Sequence, residues 1–226
     1  MSRTELKPII LYGGVVSPNP FKVAIILEEL GIPFHREPVP LTEVKKPAYE
    51  AINPNGRLPA IKDPNTGITL WETGAIIEYL ITEYDSDYKL SFQSRTSTDY
   101  AAKQWLHFQT SGQGPYYGQG FWFKAYHPER LPSAIERYVN EIRRVSSVLD
   151  GWLEKRDYLV GDRCSYADLA FVPWQLSVPH IIDDAYDPRK EFPNLQNWLD
   201  RLTERPAVLK IKKEREETLA KMGIKT

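Results

Sequence analysis

The chain has few of the residues that build covalent or metal-centred chemistry. Cys164 is the single cysteine in 226 residues, so neither a disulfide within the chain nor a Cys-x-x-Cys redox pair can form. Four histidines occur, and none is spaced from another as metal ligands usually are. These absences predict a protein without a metal or dithiol centre.

Charge and hydropathy point to no nucleic-acid or membrane partner either. Lys plus Arg number 29 and Asp plus Glu number 30, giving a net charge of -1, so there is no electrostatic reason to expect a nucleic acid or an anionic membrane. No apolar run approaches the ~18 residues of a membrane span, and residues 1–7 lack a signal-peptide pattern. We therefore expect a cytoplasmic protein.

The segment up to Tyr84 alternates short apolar runs with helical patterns. In its first helix, Lys22, Glu28 and Glu29 fall outside the apolar face. The order β-α-β-α-β-β-α predicts a small mixed sheet with helices on its faces. Strands are predicted at Pro8–Tyr12, Phe34–Val39, Leu58–Ile61 and Thr69–Trp71, and helices at Phe21–Leu30, Lys46–Ile52 and Thr73–Tyr84.

Beyond a polar, irregular linker at Asp85–Ser97, only helical patterns follow. The Gly-Gln-Gly-Pro run at Gly112–Pro115 is expected to kink or interrupt the first of these helices. We therefore expect an α/β domain over residues 1–88 and an all-α helical bundle over residues 97–226. The helical patterns cover Ser97–Trp122, Pro132–Lys155, Tyr166–Ile182, Leu195–Arg205 and a charged tail from Ala207.

The stretch from Asn53 to Ile61 is a turn that leads directly into a strand. Pro59 cannot donate a ladder hydrogen bond, so the backbone before it is left free at a sheet edge. If the Leu58–Pro59 bond is cis, the Leu58 amide and carbonyl turn outward and can pair with an extended peptide. Taken alone, this stretch is also explained by a plain loop-to-strand junction.

Glu72 and Thr73 stand at a predicted strand-to-helix junction. The Thr73 hydroxyl and the free N–H groups of the helix start make a site for a carboxylate. Glu72 beside it complements an ammonium group, so the pair suits a zwitterionic amino-acid head group. An ordinary helix cap is the alternative.

Ser17 and Asn19 lie at the start of the first helix, either as a cap and a surface residue or as donors to a ligand thiolate. Lowering a thiol pKa by ~2 units needs about 2.7 kcal/mol. A helix terminus supplies roughly 0.3–2 kcal/mol, and one hydrogen bond to a charged group about 1.5–3 kcal/mol. The two sources together are sufficient, whereas neither is comfortably sufficient alone.

These three segments, in this order and spacing, resemble the glutathione transferase superfamily, in which a thioredoxin-like domain is joined to a helical domain. The runs Trp105–Pro115, Ile135–Tyr138 and Tyr158–Trp174 resemble its fungal branch, which includes the yeast nitrogen-regulator prion protein, and similar asparagine- and serine-type bacterial enzymes. The resemblance covers nearly the whole chain. It implies glutathione as co-substrate, no metal, and a homodimer.

The resemblance also implies a role for each matching residue. Ser17 and Asn19 would be the catalytic residues that face the sulfur. Pro59 would be the cis proline, and Glu72 with Thr73 would hold the γ-glutamyl group. The residues that would bind glutathione are Lys45, Arg57, Leu58, Pro59, Glu72 and Thr73.

An aromatic cluster follows the Gly-Gln-Gly-Pro run, and it would either pack in the core or line an apolar cleft for the electrophile. The motif Ser165-x-x-Asp168 has the pattern of a capping box and is interpreted as structural. Cys164 just before it is interpreted as a buried small residue. The candidate electrophile residues are Tyr116, Tyr117, Trp122 and Tyr126.

The expected activity is conjugation of glutathione to apolar electrophiles, in detoxification or in the secondary metabolism of a fungus. Three alternatives stay open at this point. One is glutathione-dependent reduction of peroxides or disulfides, although no cysteine lies around Ser17–Asn19 as in cysteine-type reductases. The others are a dedicated enzyme that builds carbon–sulfur bonds in a natural product, and a glutathione-binding regulator without catalysis.

Overall fold

A computed structural model describes residues 6–182 and 186–223. The outer ends of the two predicted domains, residues 1–5 and 224–226, lie outside the described residues. The chain divides into two compact units. The first runs to Leu90 and takes up the segment that begins at Pro206, and the second spans Ser91–Arg205.

The first unit is built on a four-stranded mixed sheet in the order β2-β1-β3-β4. Strand β1 is parallel to β2 and antiparallel to β3, which is antiparallel to β4. The predicted element order is confirmed, and it is that of a thioredoxin-like domain. The elements are β1 (Ile9–Tyr12), α1 (Pro18–Leu30), β2 (Phe34–Glu37), α2 (Pro47–Glu50), β3 (Ala60–Lys62), β4 (Thr69–Trp71) and α3 (Thr73–Tyr84).

The second unit is built from helices and has no strand among its described residues, as predicted. The expected interruption is a π-helical segment at Gln109–Gln113, where the Gln109 Nε2 donates to Gln113 Oε1 at 2.9 Å inside the core. Across the described ranges, no helix is both long and apolar enough to cross a membrane. The helices are α4 (Ser97–Phe108), α5 (Gly114–Ala125), α6 (Pro132–Leu153), α7 (Tyr166–Gln175), α8 (Pro188–Glu191) and α9 (Pro193–Thr203).

The last helix, α10 (Pro206–Lys221), packs against α1 in the first unit, although the sequence analysis placed this segment in the second domain. The helix buries Val208 and Ile211 completely. Ion pairs accompany this packing, from Arg36 to Glu214 at 2.8 Å and from Lys210 to Glu28 at 2.8 Å. The first unit therefore includes a helix from the C-terminal part of the chain, which the sequence of residues 1–88 does not predict.

Helix α1 is buried on more sides than its sequence pattern predicted. Lys22 is 1% exposed and Glu29 is 6% exposed, so the placement of these two residues outside the buried face is wrong. The reason is that α1 contacts α3, the sheet and α10, whereas the periodicity argument assumes a single buried face. Only Glu28 of the three keeps partial exposure.

Asp63 organises the turn between β3 and β4 from a fully buried position. Its Oδ2 accepts hydrogen bonds from the hydroxyls of Tyr84 and Tyr79, and its Oδ1 accepts from the Asn65 amide N–H at 2.8 Å. Asn65 in turn exchanges two hydrogen bonds of 2.9 Å with the backbone of Lys7. The carboxylate therefore ties the turn to α3 and to the start of β1.

Asp63→Asn is expected to destabilise the protein by about 1–3 kcal/mol at neutral pH, because the amide NH₂ meets donors that need an acceptor. Burial opposes ionisation of Asp63, but the hydrogen bonds from Tyr84, Tyr79 and Asn65 outweigh it and lower the pKa below the usual value. The carboxylate therefore contributes stability above the unfolded pKa, and that contribution is lost as the pH falls through the folded pKa.

Urea unfolding of both proteins at pH 7 and at steps below pH 5 measures this effect. The difference between wild type and Asp63→Asn should shrink towards acid pH, while Asp87→Asn, at an exposed position, should track the wild type throughout. A constant difference at every pH would show that the ionised carboxylate is not the stabilising species.

Candidate functional site

Strand register gathers three of the predicted segments at one end of the sheet. The last residue of β1 pairs with Ala60 at the start of β3, and Ala60 pairs with the last residue of β4. Gly13, Pro59 and Glu72 follow or precede these positions directly, so they lie side by side at the same end. The sheet thus brings the loop before α1, the proline turn and the start of α3 together.

Gly13 allows two of these segments to approach closely. Its φ is +119°, and a Cβ there would lie 2.8 Å from Pro20 Cγ and 3.4 Å from Leu58 Cβ. A side chain would therefore be both strained and crowded at this position. The start of α1, with the candidate sulfur ligands, consequently lies next to Leu58.

Ser17 and Asn19 are both half-buried at the start of α1. Ser17 occupies the N-cap position, but its side chain makes no capping hydrogen bond, and no partner for its hydroxyl occurs among the described residues. Pro18 and Pro20 have no N–H, so Asn19 carries the only main-chain donor of the first three helical positions. An anion at this helix end therefore needs side-chain donors, which Ser17 and Asn19 have.

The turn before β3 fixes the backbone that leads to Leu58. The Arg57 carbonyl accepts from the Asn53 side-chain amide at 2.6 Å and from the Tyr49 hydroxyl at 2.9 Å. Burial raises the pKa of Tyr49 to about 12, so this hydroxyl stays protonated. The Leu58–Pro59 bond is cis, as the resemblance implied, and within the described chain no hydrogen bond reaches the Leu58 main chain.

Lys45 and Arg57 lie at the outer side of the same turn, and both side chains are exposed. The Lys45 Nζ donates to the Asn55 carbonyl at 2.6 Å. Gly56 has φ +57°, and a Cβ there would lie 2.6 Å from the Val44 carbonyl oxygen, so the turn requires glycine. Two cations therefore stand at one edge of the candidate site.

Glu72 and Thr73 begin helix α3 in an unusual conformation. Glu72 has φ 71°, its side chain makes no capping hydrogen bond, and it is exposed. Thr73 is the first helical residue and is 8% exposed. The carboxylate of Glu72 is thus accessible beside the free N–H groups of the helix start, which is the arrangement that a zwitterionic head group requires.

Lys22 is the residue of this site that the sequence analysis missed. Its Nζ donates to Thr73 Oγ1 at 3.1 Å in the interior of the first unit. Burial lowers the pKa of Lys22 to about 7, and the negative charge of Glu72 partly opposes this shift by raising the pKa. The available signal was its position in the stretch Pro20–Leu27, whose other members are all apolar.

In the second unit, Tyr117 does not fit its predicted role in the electrophile site. The residue is fully buried, and its hydroxyl lies 3.2 Å from Ser146 Oγ and accepts from Gln175 Nε2 at 3.2 Å. Burial also raises the pKa of this phenol. Tyr117 therefore belongs to the polar centre of the helical core, because its ring faces α6 and α7 and has no surface left for a ligand.

The other candidate aromatic residues are accessible to different degrees. Trp122 is 47% exposed and Tyr126 is 63% exposed, with ring centroids 5.9 Å apart. Tyr116 is half-buried beside Tyr138, at a centroid distance of 6.5 Å. Trp122 and Tyr126 thus form an exposed apolar pair on α5 and its end, and their contact with an electrophile stays a prediction.

The described residues contain no group of three or more His, Cys, Asp or Glu side chains placed to hold a metal ion. Cys164 is 6% exposed, as its interpretation as a buried small residue required, and its Sγ lies 3.8 Å from the Ser165 carbonyl oxygen. The described residues therefore supply neither a metal-binding cluster nor an exposed thiol to the site at the sheet end.

Comparison with known proteins gives two family matches and relatives that are similar over most of this chain. Residues 16–83 match the family described as Glutathione S-transferase, N-terminal domain, and residues 116–206 match Glutathione S-transferase, C-terminal domain. The chain is 54% identical over 218 residues to the Glutathione S-transferase-like protein gedE of Aspergillus terreus, with 92% of this chain and 96% of that protein covered.

Solved structures show the same similarity. The glutathione transferase URE2P6 from Phanerochaete chrysosporium, in complex with oxidized glutathione, is 45% identical with a TM-score of 0.90, covering 93% of this chain and 97% of that one. Ure2p5 from the same fungus, cocrystallized with 1-(S-glutathionyl)-2,4-dinitrobenzene, is 37% identical with a TM-score of 0.88, covering 97% and 99%. The similarity extends over both units of the chain.

Proposed function

Because the chain belongs to the glutathione S-transferase family, in its fungal Ure2-like branch, we propose that it is an enzyme that conjugates glutathione to apolar electrophiles. The observation that supports this most is the meeting of Ser17, Leu58 and Glu72–Thr73 at one end of the sheet. Each segment alone has a structural explanation, but together they offer partners for each part of one tripeptide.

Glutathione is held along its length in this proposal. The exposed Glu72 carboxylate pairs with the γ-glutamyl ammonium, and Thr73 with the α3 N-terminus binds the carboxylate. The unpaired Leu58 main chain forms strand-like hydrogen bonds with the cysteinyl residue. Lys45 and Arg57 attract the carboxylate at the glycine end.

The thiol then lies at the start of α1, where Ser17 and Asn19 donate hydrogen bonds to the sulfur. These bonds and the helix terminus together lower the thiol pKa. With an aryl halide, the thiolate attacks the ring carbon, the carbon–sulfur bond forms, and the halide leaves with the bonding electrons, while the thiol proton passes to solvent. The bound glutathionyl-dinitrobenzene of the related Ure2p5 is the product of such a substitution.

Turnover of 1-chloro-2,4-dinitrobenzene by wild type, Ser17→Ala and Asn19→Ala tests this function. Each substitution is expected to lower kcat/KM about 10- to 100-fold, because one hydrogen bond to a charged group contributes about 1.5–3 kcal/mol. The pKa of bound glutathione should rise in the same variants. Ser86→Ala, at an exposed position of the first unit, should behave as wild type.

Two outcomes of this experiment would contradict separate parts of the proposal. Full activity and an unchanged thiol titration in both variants would show that these residues are not the sulfur ligands. Tight binding of glutathione without turnover of any electrophile would instead favour a glutathione-binding regulator.

Reduction of peroxides is the second candidate, and the oxidized glutathione bound to the related URE2P6 favours it. Since Cys164 is the single cysteine and is buried, the electrons would come from glutathione alone. Two glutathione molecules would reduce one organic hydroperoxide to its alcohol and water, and they would leave as the disulfide. Turnover of cumene hydroperoxide exceeding that of the aryl halide would support this reaction over conjugation.

A homodimer in the cytoplasm completes the proposal, with an apolar electrophile as the second substrate. The family resemblance supports the dimer. The exposed pair Trp122 and Tyr126 supports an apolar second substrate, because exposed aromatic rings supply the contact surface that such molecules need.

A further inference from the structure

Lys22 is an ionisable residue in the interior of the first unit, directly behind the start of α3. It is 1% exposed, and its Nζ donates a hydrogen bond to Thr73 Oγ1 at 3.1 Å. Thr73 itself stands at the α3 N-terminus beside the exposed Glu72. The lysine thus reaches the head-group site from inside the protein, with Thr73 between it and the surface.

Burial gives a lysine at this position a cost in stability. A charged ammonium loses its hydration when it is buried, and its hydrogen bond to Thr73 and the charge of Glu72 offset part of this loss. The pKa of Lys22 is accordingly lowered to about 7, mainly by burial, although the Glu72 charge raises it. Methionine has a side chain of similar length and volume without the charge, so Lys22→Met is the matched apolar substitution.

The hydrogen bond from Lys22 has a consequence for the Thr73 hydroxyl. A hydroxyl group has one hydrogen to donate and two lone pairs that accept. When the Lys22 ammonium donates to Oγ1, the Thr73 hydrogen is free to point away from the lysine, towards a ligand. The ammonium also adds positive charge behind a helix N-terminus that already favours anions.

We propose that Lys22 is a positioning residue for the γ-glutamyl carboxylate, acting through Thr73. It holds the Thr73 hydroxyl as a donor towards the carboxylate, and in its protonated form it also supplies a buried positive charge behind it. This inference rests on the proposed function, in which Glu72 and Thr73 bind the γ-glutamyl group. It adds to that function a residue that never touches glutathione.

Three tripeptides that differ only in the head group test the inference by calorimetry, with competition measurements where the heat is small. They are glutathione, 4-aminobutyryl-cysteinyl-glycine, which lacks the α-carboxylate, and glutaryl-cysteinyl-glycine, which lacks the α-ammonium. Lys22→Met is expected to weaken the first and third about 10-fold and to leave the second unchanged. In turnover, the loss should appear in the KM for glutathione, with kcat nearly retained.

The controls separate a positioning role from a structural one. Urea unfolding should show Lys22→Met at least as stable as wild type. In a Thr73→Val background, Lys22→Met should cost less than it does in wild type, because the two residues act in series. If Lys22→Met does not fold, Lys22→Gln, which keeps a donor and removes the charge, takes its place in the same series.

Equal weakening of all three tripeptides, or no weakening of any, would overturn the inference. Failure of the proposed function looks different, since the wild type would then not bind glutathione at all. Additive losses for Lys22→Met and Thr73→Val would also overturn it, because they would show that Lys22 does not act through Thr73.

Discussion

Replacement of Asp168 by alanine is expected to lower the free energy of unfolding by about 3–5 kcal/mol, which is a large part of the stability of an ordinary domain. Asp168 is fully buried at the start of α7. Its Oδ1 accepts from the Leu159 N–H at 2.8 Å and from the Trp198 indole N–H at 2.9 Å. Its Oδ2 accepts from the Ser165 N–H at 2.9 Å and the Ser165 hydroxyl at 2.8 Å.

The size of the effect follows from the donors that the substitution leaves behind. An unsatisfied buried donor costs about 1–3 kcal/mol. The donors that lose their acceptor here belong to Leu159 in a loop, Ser165 before α7 and Trp198 in α9. Relaxation and entering water reduce the sum, so the expected loss is below the simple total. The carboxylate therefore connects three segments of the second unit, which are the loop at Leu159, the start of α7 and helix α9.

Urea unfolding followed by tryptophan fluorescence and circular dichroism measures the loss. Asp168→Asn should lose almost as much, because its amide NH₂ faces donors, whereas Ser165→Ala should lose only about 1 kcal/mol. Asp162→Asn, at an exposed position of the same unit, provides the control for a changed charge. A loss below 1 kcal/mol for Asp168→Ala would mean that the capping box has little importance for folding.

Much of the fold was predictable because its signals are local. The proline-rich turn before β3, the Gly-Gln-Gly-Pro run and the Ser165-x-x-Asp168 motif each restrict the backbone over a few residues. The cis bond at Pro59, the π-helical interruption and the capping box are found at these places. Such features need no knowledge of distant partners.

The features that escaped prediction depend on partners far away in the sequence. From the local pattern alone, Lys22 is expected to face solvent. In the structure α1 contacts both α3 and α10, and Lys22 is buried. In the sequence, nothing distinguishes Tyr117 from the other aromatic residues of its cluster. Its hydrogen-bond partners, Ser146 and Gln175, lie far away in the sequence. Periodicity identifies a buried stripe, but it does not count the elements that will pack against a helix.

Glu72 combines both situations, because its chemistry was predictable and its backbone was not. Its φ of 71° lies in the left-handed region that glycine adopts easily and other residues adopt at a cost. Strain of this kind costs of order 1–3 kcal/mol, persists where the surrounding structure holds the residue, and is most frequent at functional sites. Tyr88 and Arg95 also have positive φ, so the conformation of Glu72 motivates a test of its carboxylate and does not by itself assign a role to it.

Glu72→Gly is accordingly expected to change stability and affinity in opposite directions. Relief of strain, offset by the greater flexibility of glycine in the unfolded chain, should raise the free energy of unfolding by about 1 kcal/mol. Loss of the carboxylate partner of the γ-glutamyl ammonium should weaken glutathione binding about 100-fold, because a hydrogen bond to a charged group contributes up to about 3 kcal/mol.

Glu72→Gln separates the two effects, since it keeps a side chain of the same shape and the same strained backbone. It should lose affinity nearly as much as Glu72→Gly while gaining no stability, and Glu83→Gln, at an exposed position of α3, should change neither. Calorimetric titration with glutathione and urea unfolding of the four proteins give both quantities. If Glu72→Gln bound glutathione as tightly as wild type, the carboxylate would not be the ammonium partner, and the strained conformation would need another cause.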